Sequence, residues 1–218
     1  IQTSGQTISA GGTGKTTAQM QDPNTFAASG WDFVGRADGP HDVWAEPSGG
    51  GYPILCWQLP DKSGLPAFAG GTGEPNNPYR ISTAKELNTI GYNPRLMQCH
   101  FKVVADLDLT AVHFYPIGDF FHPYGGTFDG NGHTVSHLTI KGTDGGSFAG
   151  WGMFACLAGE VEKLGIVDAN ITTGPYSVVG ALVAYNDSRG SVTQCYSTGA
   201  VGGHTVGGLV GENYGTVA

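Results

Sequence analysis

The sequence has few charged residues and no long hydrophobic run. Only 13% of its 218 residues are charged, and its 10 Lys and Arg residues are scattered singly. A nucleic-acid-binding protein normally clusters basic residues on one face, so this class of function is disfavoured. No apolar run approaches the ~20 residues that a helix needs to cross a bilayer. The lack of heptads and of Ala-rich or Lys/Glu-rich runs argues against a helical protein.

The four cysteines are too far apart in the sequence for a zinc knuckle. Cys56, Cys99, Cys156 and Cys195 include no Cys-x-x-Cys pair. Two interpretations stay open: buried small apolar side chains, or one or two disulfides in a secreted protein. The chain also begins at Ile1, without an initiator Met or a signal peptide. This start predicts a processed or internal piece of a longer protein.

Glycine is what the sequence has in excess. It contains 37 glycines, about twice the usual share, beside a hydrophobic content of 39%. This hydrophobic content is enough for a packed core, which excludes a disordered glycine-rich linker. Glycines interspersed with Val, Thr, Tyr and Phe predict short strands joined by tight turns.

The C-terminal part of the chain contains an internal repeat. The segments VVGALVAYN (178–186) and TVGGLVGEN (205–213) share their apolar positions and a final Asn; the aligned pairs are Val179/Val206, Leu182/Leu209, Val183/Val210 and Asn186/Asn213. A weaker copy lies upstream at 150–174, and the offset is roughly 25 to 31 residues. One such unit cannot bury its apolar face alone, whereas stacked units can. The repeat therefore predicts an all-β fold, a right-handed parallel β-helix (a solenoid).

The predicted β-helix spans residues 78–218, and residues 101–109 and 125–142 are expected to form a strand and a coil of its early part. A short helix is predicted before them, capped by Ser82 or Thr83 and ended by Gly91; its apolar stripe is Ala84, Leu87 and Ile90. We expect this helix to cover the exposed hydrophobic end of the solenoid. Residues 1–60 are predicted to form a connector segment and a small aromatic-rich β cap, and residues 61–77 a linker.

Several segments resemble the GLUG-repeat family of secreted or surface-attached microbial proteins. GGLVGENYGTV (207–217) resembles the repeat motif of that family. The start of its β-helical domain is resembled by three segments, 70–91, 100–109 and 127–140. The segment after its last coil is resembled by residues 2–35, and the cap that follows by residues 44–59. The resemblance implies a β-helix and a surface role, as in adhesins and large surface proteins. It brings no catalytic residues.

The order of these segments is unusual, because the part that would follow the last coil comes first. The chain is expected to be one period of a tandem array, or a subunit whose N-terminal segment completes its neighbour's last coil. Either arrangement supplies a strand to an exposed sheet edge. The predicted donated strand contains Ile1, Thr3, Thr7 and Ile8, and its acceptor coil Leu209, Val210 and Val217. Such head-to-tail contacts generate open filaments unless they close a ring.

The chain is predicted not to be an enzyme. GGTGKTT (11–17) lacks the first glycine of a Walker A loop, since Ser9 stands in that place, and it follows a polar segment. It predicts instead a turn into short helical segments, with Asp22 as a cap and Pro23 opening the second. A polysaccharide lyase that uses Asp106 and Asp108 is a third alternative, but these carboxylates are expected on a solvated face without a convergent set of partners.

No metal or cofactor site is predicted. His133 and His137 share a side of one strand but lack a third ligand. Asp129 and Asn131 in DGNG lack the further acidic ligands of a calcium loop and favour a turn.

The remaining candidates concern sugars. Asn170 and Asn186 begin N-x-S/T triplets and are candidate glycosylation sites. Trp31, Trp44 and Trp57 belong to an aromatic cluster that forms either the core of a small cap or a carbohydrate-binding face. The leading prediction is a structural subunit of an extracellular filament or surface array, with itself as partner. The alternative is an adhesin or glycan-binding surface module that binds cell-surface glycans.

Overall fold

The computed structural model describes residues 8–9, 12–31, 33, 43–47, 50–55, 68–142 and 150–218, with the backbone alone at 8, 9, 12 and 13. The chain divides into two compact units, Ile1–Pro66 and Ala67–Ala218. The predicted domain boundaries, with a linker over 61–77, stay a prediction.

The first unit contains short elements: β1 (Ile8–Ser9), β2 (Gly12–Thr13), α1 (Thr17–Met20), α2 (Pro23–Ala27), β3 (Trp44–Ala45) and β4 (Ile54–Leu55). β1 pairs antiparallel with β2, and β3 with β4. The Thr16 side chain accepts a hydrogen bond from the Gln19 N–H and caps α1. Asp22 caps α2, with Pro23 at its first turn, so the predicted cap and helix start are confirmed.

The second unit begins with a strand and a helix and continues as a stack of coils, each of which we call a rung. Its first elements are β5 (Tyr79–Ile81), α3 (Ala84–Gly91), a 3-10 helix (Pro94–Leu96), β6 (Phe101–Val103) and β7 (Leu107–Asp108). The second rung contains β8 (Thr127–Asp129), β9 (Thr134–Ser136), β10 (Thr139–Lys141), β11 (Gly150–Trp151) and β12 (Phe154–Leu157). The third contains β13 (Glu160–Glu162), β14 (Gly165–Thr172), β15 (Val178–Gly180) and β16 (Val183–Asn186). The fourth contains β17 (Ser191–Thr193), β18 (Tyr196–Gly202), β19 (Thr205–Gly207) and β20 (Val210–Asn213), and β21 (Thr216–Val217) follows it.

Each strand of a rung pairs in parallel with the same strand of the next rung. Sheet A runs β5–β6–β8–β13–β17–β21; sheet B runs β7–β9–β14 and adds β10 and β18 beside β14; sheet C runs β11–β15–β19, and sheet D runs β12–β16–β20. These stacked parallel strands form a β-solenoid, which confirms the predicted all-β parallel β-helix.

The register matches the sequence repeat. Val179 pairs with Val206 and Val183 with Val210, and Asn186 lies opposite Asn213. Equivalent side chains of the repeat therefore stack in columns along the solenoid. In sheet A the column Phe101, Phe128, Val161 and Val192 is fully buried, so the core runs along the axis of the stack.

Residues 101–109 form two strands of the first rung, not the single predicted strand. β6 and β7 belong to different sheets, and a corner at 104–106 separates them. The hydrophobic alternation is similar on both sides of this corner, because Phe101, Val103, Leu107 and Leu109 are all buried. Alternation of apolar and polar residues indicates which residues of each strand are buried. It does not reveal that the chain passes from one sheet to another at the corner.

The predicted helix at the start of the solenoid is confirmed as α3. Thr83 is its N-cap, and the Glu86 carboxylate accepts hydrogen bonds from the N–H groups of Ser82 and Thr83. Leu87 and Ile90 are fully buried.

Contacts with the first rung hold α3 in place. The Asn88 amide donates to the His113 carbonyl and accepts from the Tyr115 N–H. A Cβ added at Gly91 would lie 2.1 Å from the Tyr115 carbonyl oxygen, so glycine is needed here for close packing.

Candidate functional site

The C-terminal end of the β-helix leaves inward-facing valines exposed. In one column Val192 is 1% exposed, whereas Val217, its partner in the next strand, is 45% exposed. In a second column Val179 is fully buried, whereas Val206 is 43% exposed. Because burying a valine side chain contributes about 1.5–3 kcal/mol, each terminal valine leaves roughly half of that unrealised.

The neighbouring positions follow the same trend. Leu182 and Val183 are fully buried in the third rung, and their counterparts Leu209 and Val210 in the fourth are only half-buried. The predicted acceptor residues Leu209, Val210 and Val217 therefore lie together on this end, which we call the open end. At the open end, side chains that belong to the hydrophobic core are exposed to solvent.

The open end also presents strand edges. The last strands at this end are β18 in sheet B, β19 in sheet C, β20 in sheet D and β21 in sheet A; within the described part of the chain, no further strand pairs with them there. An edge strand offers backbone N–H and C=O groups that can pair with an added strand.

A buried asparagine ladder leads to the same end. The Asn186 side chain is buried, and its amide donates to Asn213 Oδ1 at 2.7 Å and to the Thr216 carbonyl at 3.2 Å. Asn213 repeats this position one rung further and is exposed. The ladder can therefore continue into an added coil through hydrogen bonds of the same kind.

The predicted donated strand lies largely outside the described residues. Ile1, Thr3 and Thr7 belong to that undescribed part, and Ile8 is described by its backbone alone, in the antiparallel pair of β1 and β2. The assembly role of these four residues stays a prediction.

The two candidate glycosylation residues differ in accessibility. Asn170 is exposed on β14, so its prediction stays open. Asn186 is fully buried, and its amide nitrogen already donates two hydrogen bonds. The folded β-helix leaves no room for a glycan on Asn186, and local sequence could not show this burial.

Two aspartate–histidine pairs join the first rung to the second. Asp106 lies 3.2 Å from His133 Nδ1, and Asp108 lies 2.8 Å from His137 Nδ1. The carboxylates are solvated, as predicted, since their side chains are 71% and 61% exposed. The sequence revealed the two aspartates and the two histidines but not their pairing, because the partners are 27 and 29 residues apart.

Hydrogen bonds hold both aspartates in the ionised form. The backbone N–H of Thr134 is the main cause that lowers the pKa of Asp106. The Thr110 hydroxyl, at 2.7 Å, is the main cause that lowers the pKa of Asp108 to about 2. Within the described residues no cluster of three or more His, Cys, Asp or Glu side chains could hold a metal ion. These pairs therefore act as ties between rungs.

Asp129 and Asn131 form the predicted turn. Asp129 Oδ1 accepts the Asn131 N–H at 2.8 Å, and its other oxygen lies 3.0 Å from Lys102 Nζ. The carboxylate is thus satisfied by a backbone amide and a lysine within the fold.

The aromatic residues of the first unit pack on one another. Trp31 stacks on Trp44 with ring centroids 3.9 Å apart, and Phe26 lies 4.5 Å from Trp31 on a tilted plane. Phe33 is fully buried, and Trp57 lies outside the described residues. The Trp31 ring therefore packs within a small cluster, the arrangement of a miniature core.

Comparisons with known proteins give two relatives in sequence. The chain is 32% identical over 175 residues to halomucin from Haloquadratum walsbyi, an alignment that covers 72% of this chain and 2% of halomucin. It is 35% identical over 134 residues to a candidate Gly-rich membrane protein from Evansella cellulosilytica, covering 55% of this chain and 14% of that protein. The chain thus spans a small part of the length of each relative.

Among solved structures, the chain is similar to a candidate immunoglobulin A1 protease from Bacteroides ovatus. The TM-score is 0.42 at 19% identity, over 70% of this chain and 65% of the other. None of the described helices combines the length and apolarity that crossing a bilayer requires. No protein-family model matches the chain, so membership of the GLUG-repeat family stays a prediction.

Proposed function

We propose that this chain is a structural module of an extracellular or cell-surface assembly, in which units join head to tail. The N-terminal segment of one unit, residues 1–14, completes the open end of the β-helix of the next. One observation carries the proposal: inward-facing residues that are buried at Val192 and Val179 become half-exposed one strand later, at Val217 and Val206. Covering these residues with an added coil removes apolar surface from water.

The spacing of apolar residues in the N-terminal segment fits a coil of this solenoid. In β14, Leu164 just before the strand and Ile171 within it point inward, and both are buried. They are seven positions apart, as are Ile1 and Ile8. A strand donated in this register places both isoleucines on the core. In the same register Thr3 lies above the column of Ile166, and Thr7 takes the exposed place of Asn170.

The relatives support a surface location and a repeated unit. One is named halomucin and the other is named as a membrane protein. The alignments cover 2% and 14% of these proteins, as expected for one unit of a much longer chain. Consecutive units of one chain and separate subunits make the same contact, so both arrangements are compatible with the proposal.

The contact is directional, because donor and acceptor are different surfaces. Heterologous contacts of this kind extend indefinitely unless the rotation between units closes a ring. The exposed strand edges supply the backbone hydrogen bonds, and the open valine columns supply the apolar contact.

Negative-stain microscopy of the purified chain tests the proposal. We expect filaments or closed rings from the full chain and folded monomers after deletion of residues 1–14. Ile8→Asp should prevent assembly, because it places a charge on the core, whereas Ser9→Asp, one position along the strand, should not. Normal filaments from the deletion variant would refute strand donation.

A peptide experiment tests the contact itself, apart from filament growth. A synthetic peptide of residues 1–14 should bind the deletion variant, and Val217→Asp in the acceptor should abolish this binding. Circular dichroism of the acceptor variant controls for its folding. A peptide that fails to bind a folded acceptor would overturn the proposal even if the full chain aggregates.

A further inference from the structure

A groove of about 570 Å³ runs along the side of the β-helix, beside β12 and β16. Four aromatic rings and one ion pair line most of it: Phe120, Phe121, Tyr185, Tyr214, Asp187 and Arg189. Its size lies within the ~300–1,000 Å³ range of small-ligand sites. The groove lies wholly within the second unit and does not depend on the N-terminal segment.

The loop between Ile117 and Tyr124, which contains the two phenylalanines, holds their rings toward solvent. Both ends of the loop are fixed, because Ile117 and Tyr124 are fully buried and bridge to β12. Within it, Asp119 Oδ1 accepts hydrogen bonds from the N–H groups of Phe121 and His122 at 2.7 and 2.8 Å. The Asp119 N–H in turn donates to the His122 carbonyl. The exposure of Phe121 is therefore a feature of a fixed turn.

The rings leave a large apolar surface in water. Phe121 is 83% exposed, and Phe120 and Tyr214 are each more than half exposed. Tyr185 projects from β16 and lines the groove from the third rung. The fold therefore leaves most of the apolar surface of Phe121 in water. Clustered exposed rings of this kind mark a binding surface.

Two charged side chains line the groove, Asp187 and Arg189, and they pair with each other. Arg189 lies 2.9 Å from Asp187, which also accepts a hydrogen bond from the Ser188 hydroxyl. The hydrogen bond from Arg189 is the main cause that lowers the pKa of Asp187. The Tyr214 hydroxyl donates to Glu212 at 2.9 Å. Within the groove an anionic ligand would meet the Asp187 carboxylate, and a cationic ligand would meet the Arg189 guanidinium. The groove therefore suits a neutral ligand that both donates and accepts hydrogen bonds.

We propose that this groove binds a neutral oligosaccharide. A sugar ring presents an apolar C–H face and an edge of hydroxyl groups. The C–H faces stack on Phe121 and Tyr185, and the hydroxyls hydrogen-bond to Asp187 and Arg189. The site is distinct from the predicted aromatic cluster of the first unit, in which the Trp31 ring packs against Trp44 and Phe26.

The test uses the full chain on an array of neutral glucan, mannan and galactan oligosaccharides, followed by calorimetry on those that bind. Phe121→Ala and Tyr185→Ala should each weaken binding about tenfold, the loss of one stacking ring. The control is Tyr52→Ala, which removes a 51% exposed ring from the first unit and should leave the Kd unchanged.

Three outcomes would overturn the assignment: a folded chain that binds no neutral glycan, an unchanged Kd in Phe121→Ala, or a preference for acidic glycans. If Phe121→Ala changes self-association and no glycan binds, the groove is a contact between copies. The variant lacking residues 1–14 should bind the same sugars with the same Kd. Its behaviour separates a failure of this site from a failure of strand donation.

Discussion

Replacing Gly180 by alanine should destabilise the β-helix, because this glycine lies at a corner where two rungs meet. A Cβ built there would lie 2.1 Å from the Val183 carbonyl oxygen, 2.7 Å from the Gly211 nitrogen and 2.9 Å from the Leu209 carbonyl oxygen. All three atoms are backbone, so relief requires the backbone to shift both within the third rung and between the third and fourth rungs. Overpacking of this kind costs about 1–3 kcal/mol. The lower entropy of the unfolded alanine chain offsets about 0.4–1 kcal/mol of this cost.

The net loss of roughly 1.3 kcal/mol corresponds to a fall in Tm of about 3–5 °C for a chain of this size. Urea and thermal unfolding, followed by circular dichroism, measure it. Gly208→Ala is the matched control, since no atom lies within 4 Å of a Cβ there and the equivalent residue one rung earlier is Ala181. It should be neutral or slightly stabilising. Equal stability of the two variants would refute the idea that the corner glycines are needed for close approach of the rungs.

Three further predictions follow from burial and titration. In the unassembled chain Val192→Ala should cost about 1.5–3 kcal/mol and Val217→Ala roughly half as much, measured by urea unfolding; equal losses would contradict an open end. The pKa of Asp108, lowered to about 2, means that its stabilisation is complete above pH ~4 and is lost as pH falls toward 2. Asp108→Asn should remove this part of the acid dependence of Tm, and an unchanged profile would argue against the hydrogen bonds that Thr110 and His137 make to this carboxylate. Burial raises the pKa of Cys156 to about 11, so only about one thiol in a thousand is ionised at pH 8 and Ellman's reagent should modify it slowly until the chain unfolds. Cys156→Ser should therefore leave the fast thiol phase of the folded protein unchanged.

The rung register was predictable because a parallel solenoid stacks equivalent residues on one another. Val179 and Val206, which align in the sequence repeat, are partners in sheet C. Asn186 and Asn213, which also align, are the two residues of the asparagine ladder. Caps were predictable for a similar reason. Thr83 and Glu86, three positions apart, form a local hydrogen-bond pattern that a four-residue segment specifies.

The links between rungs could not be predicted. Asp106 meets His133 only because the intervening coil has a particular length, which depends on every turn along it. The side groove depends on the same geometry, since Phe121 and Tyr185 belong to segments without any sequence similarity. The burial of Asn186 follows from the column in which it stands, whereas its triplet with Ser188 is a local pattern.

The two ends of the solenoid differ, and this difference makes assembly testable in a single mixing experiment. Near the N-terminal end α3 packs on the first rung, where Leu109 and Phe114 are buried; at the C-terminal end Val206 and Val217 are exposed. A chain without residues 1–14 can only accept a strand, and a Val217→Asp chain can only donate one. Each alone should stay monomeric, whereas their mixture should give a discrete particle of twice the mass of one chain by light scattering. A reciprocal exchange between two copies would instead stop the full chain at a dimer, so filaments from the full chain together with dimers from the mixture identify a one-way, head-to-tail contact.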